Sequence, residues 1–209
     1  QFAKQLAIEE FAFRANSNFD NSTLPRIPIP LNFAYITKLI RDSKHQLTGD
    51  QLQAIDDLAA DILNDTPSFR LINGDVGTGK TIAYLIPFLA AYYAGARVAI
   101  MTPTVPLVDQ IAATISQLDP NVKVERIVAG TKINNDKALL IGTTSLLNAA
   151  KRISYDPDVL LVDEQQRFSS KQRYQLRAPH THYFEATATP VPRSQALITH
   201  PNMKLTILR

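Results

Sequence analysis

The chain has 209 residues, 45% of them apolar, with 22 Lys and Arg against 19 Asp and Glu for a net charge of +3, and no cysteine. That is enough length for one generous domain, or a domain with a small appendage, and enough apolar content for a real core, which excludes disorder throughout. A disulfide framework, a thiolate zinc site and a cysteine nucleophile are excluded as well, and the weak basic excess permits contact with a polyanion without demonstrating one.

From the N-terminus, residues 2–15 place Phe2, Leu6 and Phe13 near one helical face with Ala3 and Ala7 beside it, which predicts an amphipathic helix. Lys4, Glu9, Glu10 and Arg14 interrupt any signal-peptide core, and the chain starts with Gln, so a fragment of something longer is expected. Residues 16–32 carry Asn18, Asp20, Asn21 and Ser22, then Pro25, Pro28 and Pro30, which favours an extended connector. A short helix is predicted over 33–41, and residues 1–46 are read as an N-terminal helical and proline-rich segment.

Thr48 and Gln51 have the spacing of a capping box, opening a helix that runs through Ile62. From Phe69 the pattern becomes strand, loop, helix repeatedly, with strands predicted at 69–73, 97–101, 123–128, 138–142, 159–163, 181–185 and 204–208. Such alternation indicates an α/β domain over residues 47–209 with a mostly parallel sheet, whose ligands gather at the carboxyl ends of the strands. The most apolar run, 82–96, is interrupted by Pro87 and Gly95 and falls short of the roughly 20 residues that span a bilayer, so no membrane segment is expected and the location is read as cytoplasmic.

Between an apolar strand and a long helix lie Gly74, Asp75, Val76, Gly77, Thr78, Gly79, Lys80 and Thr81, a complete GxxxxGKT phosphate loop. Glycines let the backbone turn tightly and bring its N–H groups against phosphate oxygens, and the following helix adds unpaired donors and the positive end of its dipole. Lys80 would place a compact charge near the β and γ phosphates of a nucleoside triphosphate, and the Thr81 hydroxyl would complete the shell of a Mg²⁺ ion. A turn at 156–158 then sets off four branched apolar residues that end in Asp163 and Glu164. A buried strand delivering acid at its tip suits Mg²⁺, with Asp163 holding the metal through water and Glu164 orienting or deprotonating the attacking water. By itself that strand could equally end in a solvated acidic turn, and its coupling to the phosphate loop favours the metal.

Three other groups of residues invite attention. His180 and His182 alternate as strand ligands of a metal do, but no third ligand is evident, and exposed or capping roles are expected. Tyr84, Tyr92 and Tyr93 are expected in the core, because the helix after a phosphate loop packs on the sheet. Lys171, Arg173 and Arg177 could touch DNA or line a solvated face.

Leu47-Thr48-Gly49-Asp50-Gln51, the phosphate loop, Met101-Thr102-Pro103-Thr104, Ile141-Gly142-Thr143-Thr144, Asp163-Glu164-Gln165-Gln166-Arg167-Phe168 and Thr187-Ala188-Thr189-Pro190-Val191-Pro192-Arg193 occur in one order. This order resembles the first motor domain of a RecG-type superfamily 2 DNA helicase, with PriA and Mfd motors as near neighbours. The resemblance implies a RecA-like P-loop NTPase fold of three layers, α/β/α, and an ATP-dependent DNA helicase that remodels branched DNA in recombination and repair, with ATP and Mg²⁺ as cofactors. It implies that Gln51 reads adenine and that Gln166 stands in the carboxylate box where His is usual. Pro103, Thr104, Gly142 and Thr143 would grip phosphates of one DNA strand, and Thr187 and Thr189 would couple the carboxylate box to the DNA side. A second RecA-like domain would supply arginine to the transition state and an upstream wedge domain would recognise junctions, so the fragment alone is expected to bind nucleotide and hydrolyse it poorly. A P-loop ATPase of a non-helicase class and a non-catalytic nucleic-acid-binding module with relic motifs are the alternatives.

Overall fold

In a computed structural model, which describes residues 28–44, 46–189 and 203–209, the seven apolar runs form seven parallel strands. They are β1 (Phe69–Gly74), β2 (Val98–Met101), β3 (Val124–Ile127), β4 (Leu139–Gly142), β5 (Val159–Val162), β6 (His182–Thr187) and β7 (Lys204–Leu208), in spatial order β3-β4-β2-β5-β6-β1-β7. The helix expected over 2–15, most of the connector over 16–32, and Pro190, Val191, Pro192 and Arg193 lie outside the described residues. β6 runs two residues further than expected and so carries Thr187 to its tip, while β5 stops at Val162 and leaves Asp163 just beyond it.

Helices cover both faces of the sheet: α1 (Phe33–Asp42), α2 (Gly49–Leu63), α3 (Lys80–Tyr93), α4 (Val105–Leu118), α5 (Ser145–Arg152) and the short α6 (Ser170–Tyr174). Alternate strand residues point to opposite faces. Thus Ile100 and Leu161 join one core with α1 to α4, whereas Ala99, Leu160 and Val162 join the other with α5. That arrangement is the expected three-layer α/β/α fold. α3 is apolar all round, and every residue of its middle from Ala83 to Ala91 is buried between the sheet and the neighbouring helices. Among the described residues no helix is long and apolar enough to cross a membrane.

Two local devices set the position of α2. Its start is the expected capping box, with the Thr48 N–H donating to Gln51 Oε1 at 2.9 Å and the Gln51 N–H to Thr48 Oγ1 at 3.3 Å. Its other end is tied to the sheet by the fully buried Asp61, which accepts from Arg70 Nε of β1 and from Lys204 Nζ of β7, each at 2.5 Å. A buried carboxylate is tolerated only when paired in this way, so the cluster specifies where α2 lies against β1 and β7.

Candidate functional site

β1 delivers Asn73 and Gly74 to the carboxyl edge of the sheet, where the chain turns through the phosphate loop into α3. Gly77 and Gly79 have φ of +88° and +75°, a conformation that side chains rarely adopt. A Cβ on Gly79 would lie 2.2 Å from Gln51 Nε2, so that glycine also makes room for Gln51. Lys80 Nζ donates to the carbonyl oxygens of Gly74 and Asp75, folding over the loop it belongs to. Gln51 serves two ends: Oε1 accepts the Thr48 cap bond, while Nε2 donates to the Thr78 carbonyl at 2.8 Å and joins α2 to the loop. Beside this junction, the end of α1 and the start of α2 form an open cleft of about 430 Å³ lined by Ile40, Arg41, Ser43, Gln46, Leu47 and Leu52.

Asp163 and Glu164 emerge from β5, two strands from β1 with β6 between them, and therefore about 10 Å away across the sheet. Asp163 is buried and its Oδ1 accepts the Glu164 N–H at 2.9 Å. Glu164 has φ of +52°, a left-handed conformation that a non-glycine residue holds at a cost of roughly 1–3 kcal/mol and that clusters at functional sites. Burial, then the neighbouring Glu164 carboxylate, push the Asp163 pKa upward, while the Lys80 charge pulls against them. Tyr84, one turn into α3, donates its hydroxyl to Asp163 Oδ2 at 3.3 Å. The phosphate loop and the acidic pair are thus parts of one site. Among the described residues no group of three or more His, Asp or Glu is placed to hold a metal. The donor set fits Mg²⁺, which is usually held by one or two carboxylates and takes the rest of its shell from phosphate and water.

A polar relay runs on from Glu164. Gln166 Nε2 donates to Glu164 Oε2 at 2.5 Å, Thr187 Oγ1 donates to Gln166 Oε1 at 3.0 Å, and the Thr189 N–H donates to Thr187 Oγ1 at 3.1 Å. Strand order makes this possible, since β6 pairs with β5 on one side and with β1 on the other, with Asn73 opposite Thr187. Gln165 is held from below by Arg173, which donates to Gln165 Oε1 at 2.8 Å and to Glu185 Oε1 at 2.9 Å.

Arg173 is therefore a buried strut, neither a DNA contact nor part of a solvated face, because Glu185 on the interior strand β6 supplies a partner inside the core. Arg177 is also drawn inward, its guanidinium 5.9 Å from the Phe69 ring centre and 5.7 Å from that of Tyr183, whereas Lys171 is exposed. Of the three tyrosines expected in the core only Tyr84 is fully there. Tyr93 is 48% exposed and donates to Asp119 at 3.0 Å, and the Tyr92 hydroxyl accepts the Lys123 N–H at 3.3 Å, because both stand at the far end of α3. His182 is buried with Nδ1 accepting the Ser68 N–H, and His180 lies 3.6 Å from Asp158.

The residues expected to grip DNA sit at the tips of β2 and β4, which are neighbours with Met101 opposite Gly142. Pro103 and Thr104 follow β2, and Thr104 is the N-cap of α4 without a side-chain cap bond. Gly142 is buried, and a Cβ there would lie 2.5 Å from the Ile127 carbonyl oxygen, so the glycine answers a packing need at the strand tip. Thr143 is half-buried, and its hydroxyl bonds locally to Ser145.

With this geometry in place, comparison with known proteins is direct. The DEAD/DEAH box helicase family model matches residues 48–198. The ATP-dependent DNA helicase RecG of Helicobacter pylori strain J99 is 32% identical over 198 residues, 88% of this chain and 31% of its own length. RecG of Aquifex aeolicus is 30% identical over 194 residues, covering 83% of this chain and 24% of that one. The chain thus spans about a third or less of these relatives. The solved structure of RecG bound to a three-way DNA junction is similar in fold, with a TM-score of 0.71 and 24% identity over 99% of this chain and 30% of that one. With a family model that matches most of its length, the chain belongs to the DEAD/DEAH box helicase family.

Proposed function

We propose that this chain is the ATP- and Mg²⁺-binding motor half of a RecG-type DNA helicase that remodels branched DNA in recombination and repair. The observation that carries the reading is the meeting of phosphate loop and acidic pair around Tyr84 and Lys80. Lys80 releases the loop carbonyls it holds and turns to the β and γ phosphates, while the loop N–H groups and the start of α3 cradle the same oxygens. Thr81 and Asp163 would hold Mg²⁺, and Glu164 would orient or deprotonate the attacking water. Bound magnesium would supply the charge that neutralises the β and γ oxygens. Gln51 gives up its bond to Thr78 to read the adenine edge, with the cleft beside α1 receiving the base.

The loops that hold Pro103, Thr104, Gly142 and Thr143 grip the phosphates of one strand without regard to sequence, through backbone N–H groups of the non-proline residues and the hydroxyls of Thr104 and Thr143, with Pro103 shaping its loop. Gln166, Thr187 and Thr189 carry the state of the γ phosphate toward them. A second RecA-like domain, for which the longer relatives have room, supplies arginine to the transition state, a contribution of about 10³ to 10⁵ in rate in related phosphoryl-transfer enzymes. The 209 residues alone therefore bind nucleotide, turn it over slowly and do not unwind DNA. ATP turnover by this chain and by the full-length protein, each with and without forked DNA, tests this. Strong DNA stimulation should appear only in the full-length protein, and robust turnover by the monomeric 209-residue chain would overturn the shared-cleft reading.

A further inference from the structure

We infer that Tyr84 is a positioning residue of the magnesium site, an inference that rests on the nucleotide-binding reading above. Its ring belongs to the core, stacked at tilted angles with Phe88 at 5.9 Å and through it with Phe184, so the side chain is fixed by packing on all sides. A fully buried hydroxyl needs a partner, and an apolar side chain of similar shape would satisfy the packing alone. Here the hydroxyl donates to Asp163 Oδ2, 79 residues further along the chain, and stands on the same helix face as Thr81, three positions earlier. These are the two protein groups that the site offers to a cation.

The spacing explains how. Residues three apart on a helix share a face, so Tyr84 presents its hydroxyl beside Thr81, at the end of α3 nearest the loop. Among the described residues Asp163 accepts from two donors, this hydroxyl and the Glu164 N–H, which bind its two different oxygens. The N–H fixes Oδ1 from the backbone, and Tyr84 fixes Oδ2, so that together they set the rotation of the carboxylate plane. Outer contacts of this kind commonly change metal affinity by about 10–100-fold when removed. Tyr84 thereby joins the helix that follows the phosphate loop to the turn at the tip of β5.

The test is Tyr84→Phe, which keeps the ring and removes the hydroxyl, with Phe88→Leu as a packing control that keeps the hydroxyl. Binding of a fluorescent, non-hydrolysable ATP analogue is titrated with Mg²⁺ and in EDTA, alongside thermal melts. In Tyr84→Phe the Mg²⁺ concentration for half-maximal enhancement should rise about 10-fold or more, with analogue binding in EDTA unchanged and a melting temperature close to wild type. Phe88→Leu should do the reverse, melting earlier at unchanged Mg²⁺ dependence. Equal Mg²⁺ dependence in Tyr84→Phe and wild type, or an equal shift in both variants, overturns the role of the hydroxyl. Failure of the wild-type chain to bind the analogue at all would instead overturn the nucleotide-binding reading.

Discussion

The two ends of the carboxyl edge of the sheet are built differently. Around β1, β5 and β6 the candidate residues hold one another across long stretches of chain: Gln51 to Thr78, Tyr84 to Asp163, Gln166 to Thr187. Around β2 and β4 the Thr143 hydroxyl bonds only two residues away and Thr104 makes no cap bond with its side chain. The first region is wired through side chains, and the second is shaped by backbone at strand tips, with Thr102 donating its N–H to the Gly142 carbonyl at 2.9 Å. Single side-chain changes should therefore be felt strongly in the first region and weakly in the second.

The largest effect expected is from Lys80→Ala. Removing the charge that faces the phosphates should weaken ATP analogue binding by at least 100-fold, on the scale of about 3 kcal/mol for a charge-assisted contact, measured by fluorescence titration. Because the Lys80 hydrogen bonds among the described residues go to carbonyls of its own loop, the nucleotide-free melting temperature should hardly change. A large loss of stability would show that the lysine holds the fold instead.

Next comes Gln166→Ala, which cuts the relay between Glu164 and Thr187. In the full-length protein it should leave ATP affinity within about twofold and lower DNA stimulation of turnover roughly 10-fold, the scale of a 1–2 kcal/mol coupling. Equal losses with and without DNA would reduce Gln166 to a hydrolysis role.

Asp163→Asn should separate function from stability. Burial and the Glu164 charge raise the Asp163 pKa in the folded state, so ionised Asp163 costs stability that the protonated form does not. The stabilising contribution of that raised pKa is present at acid pH and lost as pH rises through the folded value. The variant should thus be more stable than wild type at pH 7 while losing Mg²⁺-dependent turnover, and the gain should shrink as pH falls. Paired denaturant melts at pH 4 and pH 7 read this directly, and a gain that grows toward acid pH would have the wrong sign.

The smallest effects belong to the second region. Thr104→Ala with Thr143→Ala removes two uncharged hydroxyls from loops whose grip rests on backbone, so single-stranded DNA affinity should fall by no more than about 10-fold. Its salt slope should not move, since no counterion-releasing charge is lost. A steeper fall would mean that the hydroxyls, and not the backbone, carry the grip.

Legibility in the sequence followed the same division. All seven strands were readable to within two residues, because short branched runs between turns carry their own signal, and the phosphate loop and the acids of β5 were readable because both are contiguous. The Tyr84 hydroxyl could not be read as more than core, since its partner lies 79 residues away and the contact depends on which strand stands beside which. The spacing of Thr81 and Tyr84 was the one available hint. Arg173 misled for the same reason: in the chain it stands in a run of cations between Lys171 and Arg177, and the placement of β6 is what reveals Glu185 as its partner. The relay from Glu164 to Thr189 was expected from resemblance alone, and nothing in spacing could have ordered its bonds.

A crystal structure of the full-length protein with a non-hydrolysable ATP analogue and Mg²⁺ tests the central claim most directly. The account requires the triphosphate between the loop amides and Lys80, with the cation between Thr81 and Asp163. A triphosphate bound away from that loop, or a cation that leaves Asp163 and Tyr84 untouched, would contradict it.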